Sequence, residues 1–306
     1  MNIIVKIKHI YASFILPWHM PYRSSCELLH DTSQLAKKSA DYYFGSFADG
    51  NYLLLRFYLY PLCQSKDLEA QKAQTKIPVM EEFYDIRLFY FPLLTQSAPD
   101  TYADIHRQRQ EEGYSTHAFY ELFLKCTLCA IYGFNEAAYQ DRLFEDPRLL
   151  GKVMTNILPM QISDLQFFGS LITFDVCRSG GILKKIKGLM YQWKAIKKMK
   201  YWSNNCKANF YHRYILMKAE WCQNMGLNRY ARHYYEVALN ELKTSEIMMD
   251  VGLFYERVAQ FYLRNGDRQK GQGYMQQAIE GYRAWGAKAK ADQLIRKGAH
   301  QADEAR

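Results

Sequence analysis

Two stretches of the C-terminal third repeat each other at an offset of 40 residues, from Ala219 to Ala259. Ala219, Gly226, Ala231, Tyr234, Tyr235 and Ala238 recur as Ala259, Gly266, Gly271, Tyr274, Met275 and Ala278. Each copy places a Gly seven positions after its first small residue, a second small residue twelve on and an Ala nineteen on. That spacing describes a helix–turn–helix unit. The small residues let two helices cross closely, and the Gly closes the turn between them. One hairpin cannot bury its own apolar face, so neighbouring units must stack. A stacked helical array holds things; it seldom brings reactive groups together on one pocket.

The rest of the chain agrees with a helical reading. It is 49% hydrophobic and 15% aromatic, which excludes a disordered chain, and Pro is scarce (8) among many stretches of helical apolar spacing. Cys126, Gly133 and Ala138 echo the first half of the repeat unit and extend the array toward the N-terminus. Ala48-Asp49-Gly50-Asn51 and Ser97-Ala98-Pro99-Asp100 read as turns, and the helix over 77–91 is expected to end before Pro92. Gln96–Gly113 reads as a connection with a short solvated helix, and Pro147 and Pro159 bracket another helix. Ser179-Gly180-Gly181 is the candidate hinge. It divides an N-terminal helical-repeat half (1–180) from C-terminal repeats (181–298), with 299–306 expected as a disordered tail.

The seven Cys are odd in number and lie among apolar residues without a framework spacing, which predicts reduced core cysteines and a cytoplasmic protein. Lys6, Lys8 and His9 before Ile10–Leu16 imitate a signal peptide, but no small-residue cleavage site follows. No stretch approaches the ~18 apolar residues of a membrane helix, so a soluble protein is expected. The net charge of +9 is concentrated: seven lysines lie between Lys184 and Lys200.

The repeat unit resembles tetratricopeptide repeats, whose usual period is about 34 residues, with the surplus spent on a longer loop or helix. More specific residues surround it. They are Lys198-Met199-Lys200-Tyr201-Trp202-Ser203-Asn204-Asn205-Cys206, Asn209-Phe210-Tyr211-His212-Arg213-Tyr214 and Lys218-Ala219-Glu220. Tyr255-Glu256-Arg257-Val258-Ala259-Gln260-Phe261-Tyr262-Leu263 and Tyr282-Arg283-Ala284-Trp285-Gly286-Ala287-Lys288-Ala289-Lys290 continue the set. Together they resemble the helical region of large bacterial predicted-ATPase signalling proteins. Those chains join a serine/threonine-kinase-like domain, a STAND/AAA-type ATPase, a tetratricopeptide-like superhelix, a GAF domain and a sensor histidine kinase. The resemblance covers nearly all of the chain, but only the superhelix. No Gly-x-x-x-x-Gly-Lys-[Ser/Thr] loop, kinase catalytic loop or phosphoacceptor-His block is present. It therefore implies a sensor or scaffold module without its motors, and the short, lysine-rich start suggests a stand-alone fragment or a split gene.

Other chemistry-bearing patterns have plainer readings. Cys126-Thr127-Leu128-Cys129 is a lone Cys-x-x-Cys inside an apolar helix, where buried core cysteines outweigh a redox pair or a zinc site. The eight His form no pair four apart; His212 and His233 are the two a helix hairpin can bring near each other. Within Ile182–Tyr201, Ile182, Ile186, Leu189, Met190, Trp193 and Ile196 form an apolar stripe. It is expected to pack inward through Ile186 and Trp193, leaving Lys184, Lys187, Lys194, Lys197 and Lys198 as an exposed ridge. Such a ridge is first a solvated face and second a contact for an acidic partner. Tyr230, Tyr234, Tyr274 and Trp285 are core-like by spacing, but such residues also line peptide-holding grooves.

The expectation is an all-α, tetratricopeptide-like right-handed superhelix of stacked helix pairs, non-catalytic, without cofactor, metal or small-molecule substrate. Its partner is expected to be a protein or peptide, such as a separate ATPase or kinase component. The sequence leaves two other readings open: a piece of an ATP-dependent signalling ATPase or kinase, and a binder of nucleic acid or lipid through Lys184–Lys200. A nucleic-acid or membrane partner is disfavoured.

Overall fold

The computed structural model describes residues 3–63, 65–74, 78–105, 115–140 and 159–304. Among the described residues there are α-helices and no strand. The chain begins with α1 (Ile3–Ile10), a π-helical turn (Tyr11–Ile15) and a 3-10 turn (Leu16–Trp18), then α2 (Tyr22–Lys38) and α3 (Tyr42–Leu59). Next come α4 (Ser65–Gln74), α5 (Pro78–Thr95), α6 (Ser115–Tyr132), α7 (Asn135–Gln140), α8 (Pro159–Ser179) and α9 (Ile182–Asn205). The repeated stretches form α10 (Lys207–Asn224), α11 (Asn228–Leu242), α12 (Met248–Arg264) and α13 (Arg268–Trp285), followed by α14 (Lys288–Glu304).

The two repeat units are built alike. Gly226 (φ 73°) and Gly266 (φ 83°) take the left-handed conformation just past α10 and α12. There the Leu227 amide donates to the Cys222 carbonyl (2.9 Å) and the Asp267 amide to the Tyr262 carbonyl (3.0 Å). These bonds satisfy carbonyls that a helix end leaves without a partner, and a left-handed residue at this position favours Gly. The chain then turns back within a few residues, so α10 packs on α11 and α12 on α13. Ala219, Ala231, Ala238, Ala259 and Ala278 are fully excluded from solvent, and Gly271 is buried. A Cβ on Gly271 would lie 2.6 Å from Leu263, which is why the second copy has Gly where the first has Ala231.

In a simple solenoid each repeat touches only its neighbours. This chain also folds back on itself. α8 packs on α10, α3 on α12 and α5 on α14, so the first helix of each C-terminal pair is covered by the N-terminal half. The Tyr22 amide donates to Asn209 Oδ1 (2.9 Å), and Asn209 Nδ2 donates to the carbonyls of Pro17 and Met20, both at 2.8 Å. The Leu62 amide donates to the Trp285 carbonyl (2.8 Å).

Several local expectations are corrected. Ala48-Asp49-Gly50-Asn51 is no turn: α3 runs through it. Gly50 sits where Met80 crosses (a Cβ would be 3.3 Å from its sulfur), Asp49 accepts from Ser33, and Asn51 bonds to Ser13. Turn-type residues here serve helix contacts. α5 does not stop before Pro92 but continues to Thr95. Pro92 removes one backbone bond, while buried Phe91 and Leu94 hold the last turn on the core. Ser179-Gly180-Gly181 is a tight link, with two glycines between helices that pack on each other. α14 carries on past Gly298 to Glu304, through most of the expected tail. Of Gln96–Gly113 the described part is a turn and a 3-10 helix (Tyr102–Ile105). The helix between Pro147 and Pro159 lies outside the described residues.

Candidate functional site

The lysine-bearing helix α9 has the opposite orientation to that expected from its apolar stripe. Its buried face is Gly188, Gln192, Ala195, Met199 and Ser203, at helical spacing. Gly188 decides the matter. A Cβ there would lie 1.8 Å from Cys177 Sγ and 3.1 Å from a Thr173 methyl, so α8 presses directly on the backbone of α9. The row chosen for packing is the one with the smallest side chain at the crossing, not the most apolar one.

Most of the apolar row is consequently turned outward, while Leu189 and Ile196 stay half-buried at its edge. Ile186 is 54% exposed, Met190 59% and Trp193 51%. Lys185, Lys194, Lys197, Lys198 and Lys200 are exposed around it, and Lys197 Nζ stands 3.3 Å above the Trp193 ring. The side chains of Ile182, Lys184 and Lys187 lie outside the described set. From 182 to 205 the sequence holds no Asp or Glu. Each large apolar side chain kept in water forgoes about 1.5–3 kcal/mol of burial, and a contiguous exposed apolar patch marks an interaction surface. A second apolar face lies on α1 and the turn after it, where Ile3, Ile7 and Ile15 are exposed.

The aromatic candidates separate. Tyr230 is exposed. Tyr234 is half-buried beneath Lys218 Nζ (3.9 Å from the ring), and Tyr274 stacks on Tyr262 at 5.5 Å. Trp285 is fully buried and cannot meet a partner: it is enclosed by α3, with its ring 5.2 Å from that of Phe57. Of the four, only Trp285 is covered by the chain's own N-terminal half, which otherwise packs on the first helices of the repeats. His212 and His233 do not form a pair; His212 is buried on Asp250 (2.8 Å), while His233 is exposed.

Buried ion clusters tie the helices together, those of Arg213 and Arg257 across the two halves, and periodicity alone did not reveal them. Arg213 binds Asp250 through Nε (2.6 Å) and Nη2 (2.9 Å) and reaches Asp164 through Nη1; Asp164 also accepts from Tyr58. Arg257 is bidentate to Glu220 (2.7 and 2.8 Å) and to Asp175 (2.6 and 2.9 Å). Lys290 donates to Glu256 (2.9 Å), which also accepts from Tyr282 (2.7 Å). Desolvation works against ionising all these groups. For Glu220 the guanidinium groups of Arg257 and Arg178 overcome it and hold the carboxyl well below its usual range. Asp250 is likewise lowered by Arg213 and His212. In Asp164 burial prevails, and its pKa rises to about 6. These carboxylates are already engaged by cations and hydroxyls, so the clusters orient helices rather than act on a substrate. A signal was present in the sequence: Arg213 and Glu220, and in reverse Asp250 and Arg257, lie seven apart on facing helices.

Cys126 and Cys129 are buried in α6, and burial pushes the Cys126 thiol well above its usual range, which opposes thiolate chemistry. Among the described residues no group of three His, Cys, Asp or Glu is placed to hold a metal ion, and no helix is long and apolar enough to cross a membrane.

Among the described residues, fold and surface define an all-α protein of packed helix pairs with two acid-free faces that combine exposed apolar and basic residues, on α9 and on α1. Comparison with family models, curated proteins and solved structures finds no match that narrows this class.

Proposed function

We propose that the chain is a non-catalytic helical-repeat scaffold or sensor module in signal transduction, which docks a protein partner on the outer face of α9. The observation that carries this reading is the exposed row Ile186, Met190 and Trp193 with lysines on both sides. Anchors at i, i+4 and i+7 are the register at which an amphipathic helix lies along a surface. The lysines and the lack of acidic residues favour an acidic partner helix, since opposite charge speeds encounter and selects against basic partners. The pairs α10–α11 and α12–α13 support a tetratricopeptide-like right-handed superhelix. Its first helices are covered by α3, α5 and α8, which leaves the outer surface for binding. The resemblance to the helical region of ATPase–kinase signalling proteins points to the partner class, a separate ATPase or kinase component.

Titration with Mg-ATP tests the non-catalytic part. No heat of binding is expected, and a micromolar one-to-one isotherm would place the chain among nucleotide-using subunits instead. The acid-free run of α9 also supports a second reading, an anionic lipid surface or nucleic acid. Sedimentation with vesicles containing phosphatidylserine, with and without salt, separates it from protein docking.

A further inference from the structure

α1 is held against α2 and α3, and together with the π-helical turn it turns a row of apolar side chains to water. Ile3 is 65% exposed and Ile7 60%, and Ile10, Tyr11 and Ile15 continue the exposed row. The buried residues of α1 are Val5 and His9. A helix turns about 100° per residue, so seen from Ile7 the buried pair points about 160° away, into the protein. Lys6 and Lys8 lie about 100° to either side of Ile7 by the same count, and both are half-buried. The outward row is therefore aliphatic, with a lysine along each flank.

The charge of this face is one-sided. Residues 1 to 26 include Lys6, Lys8 and Arg23 and no Asp or Glu. Burial lowers the pKa of His9 to about 4, so its ring is neutral at pH 7 and adds nothing. The neighbouring helices bring both signs. On α3, Asp41 accepts from the Phe44 amide and Asp49 is engaged by Ser33 and Lys37. On α2, Glu27 and Asp31 are exposed, as are Lys37 and Lys38. The positive excess thus belongs to α1 itself.

Protein interfaces draw most of their affinity from Trp, Tyr and Arg anchors, and α9 offers one in Trp193. α1 offers branched aliphatic side chains flanked by lysines, the pattern of a helix that lies in the plane of a membrane surface. Exposed Tyr11 and Tyr43, the latter lining one opening with Ile10, carry the amphipathic ring that membrane interfaces favour. We propose that the outer face of α1 seats the protein on an anionic membrane surface. Ile3, Ile7 and Ile10 enter the boundary between headgroups and acyl chains, and the stems of Lys6 and Lys8 carry their ammonium groups to the anionic headgroups. A row this short holds only with the help of the lysines, so the contact is reversible. The proposal does not rest on partner docking at α9.

Co-sedimentation of the full chain with two kinds of vesicle makes the test, one of phosphatidylcholine alone and one mixed with phosphatidylserine. Binding to the mixed vesicles is expected to be about tenfold tighter or more, and to weaken as salt is raised. The paired change Ile3→Gln and Ile7→Gln should reduce it about tenfold or more, as should Lys6→Gln with Lys8→Gln. Trp193→Gln, on α9, should leave it unchanged. No binding, equal binding to both vesicles, binding that survives the isoleucine or the lysine pair, or binding lost with Trp193→Gln would overturn the proposal. So would a dimer of the chain, seen by sedimentation velocity without vesicles, that the isoleucine pair dissolves. If that variant does not fold, a benzophenone amino acid at Ile7 decides: it should couple to vesicle lipid, and one at exposed Gln272 should not. Lipid adducts at neither position, or at both alike, overturn it as well.

Discussion

The indole Nε1–H of Trp285 donates to the Phe57 carbonyl oxygen at 2.8 Å across 228 residues of chain. This bond fastens the end of α13 to the last turn of α3, so the repeats and the N-terminal half share a core. Trp285→Phe would leave that carbonyl unpaired in the interior, at a cost of roughly 1–3 kcal/mol. Trp193→Phe, on the exposed face of α9, should stay within about 0.5 kcal/mol of the parent. Urea denaturation of the two variants checks this, and equal midpoints would contradict the packing described.

α12 and α13 cross at two glycines. A Cβ on Gly281 would lie 2.8 Å from the Gly252 backbone nitrogen, whereas around Gly273, on the same helix, there is open space. Gly281→Ala should therefore cost roughly 1–3 kcal/mol through overpacking. Gly273→Ala should add stability of up to about 1 kcal/mol, from helix propensity. Opposite shifts in melting temperature are the expected result, and shifts of the same sign count against this crossing.

The repeat units were legible because their turn and crossings depend on glycines and alanines at fixed spacing: Gly226, Gly266, Ala219 and Ala259 report local geometry. The orientation of α9 was not legible in the same way. Its apolar stripe promised an inward Trp193, but the approach of Cys177 to Gly188 is a tertiary fact, and it reversed the helix. Asp49, Gly50 and Asn51 were misread for a related reason: residues that make turns also make helix contacts when a neighbour supplies partners. The buried ions were missed because Asp250 or Glu220 alone looks like any surface charge until the facing helix is known.

Removing one member of a buried cluster should cost far more than removing a surface partner. Asp250→Asn strips Arg213 of its bidentate partner in the interior, at an expected cost of about 3–5 kcal/mol. Glu246→Gln breaks only the exposed pair with Arg23, worth less than about 1 kcal/mol. Because Asp250 and Glu220 are lowered in the folded state, their contribution is complete above the unfolded carboxylate range and is lost as the pH falls below about 4. Asp164, raised to about 6, acts in the opposite sense between pH 6 and 4. Denaturation curves of the parent and Asp250→Asn should converge below pH 4.

His9 gives an independent pH signal. The unfolded chain takes up a proton near pH 6.5, while the folded chain resists until about 4. Its contribution is thus complete above 6.5 and is lost as the pH falls toward 4. The full change is about 3 kcal/mol, from 1.36 kcal/mol per pKa unit. The stability difference between parent and His9→Phe should shift by that order, in favour of the variant, from pH 7.5 to pH 4.5. A difference independent of pH would mean that His9 is solvated.

The docking face of α9 is the centre of the functional account, and site-specific photo-crosslinking tests it most directly. A benzophenone amino acid is placed at Trp193 and, as a control, at Gln272, which is exposed on α13. In lysate of the native cells, a protein adduct is expected from position 193 and not from 272. Changing Lys194, Lys197 and Lys198 to Gln should reduce its yield, and the reduction should fade as salt shortens the Debye length from about 10 Å at 0.1 M to about 3 Å at 1 M. No adduct at 193, or the same adducts at both positions, would contradict the account.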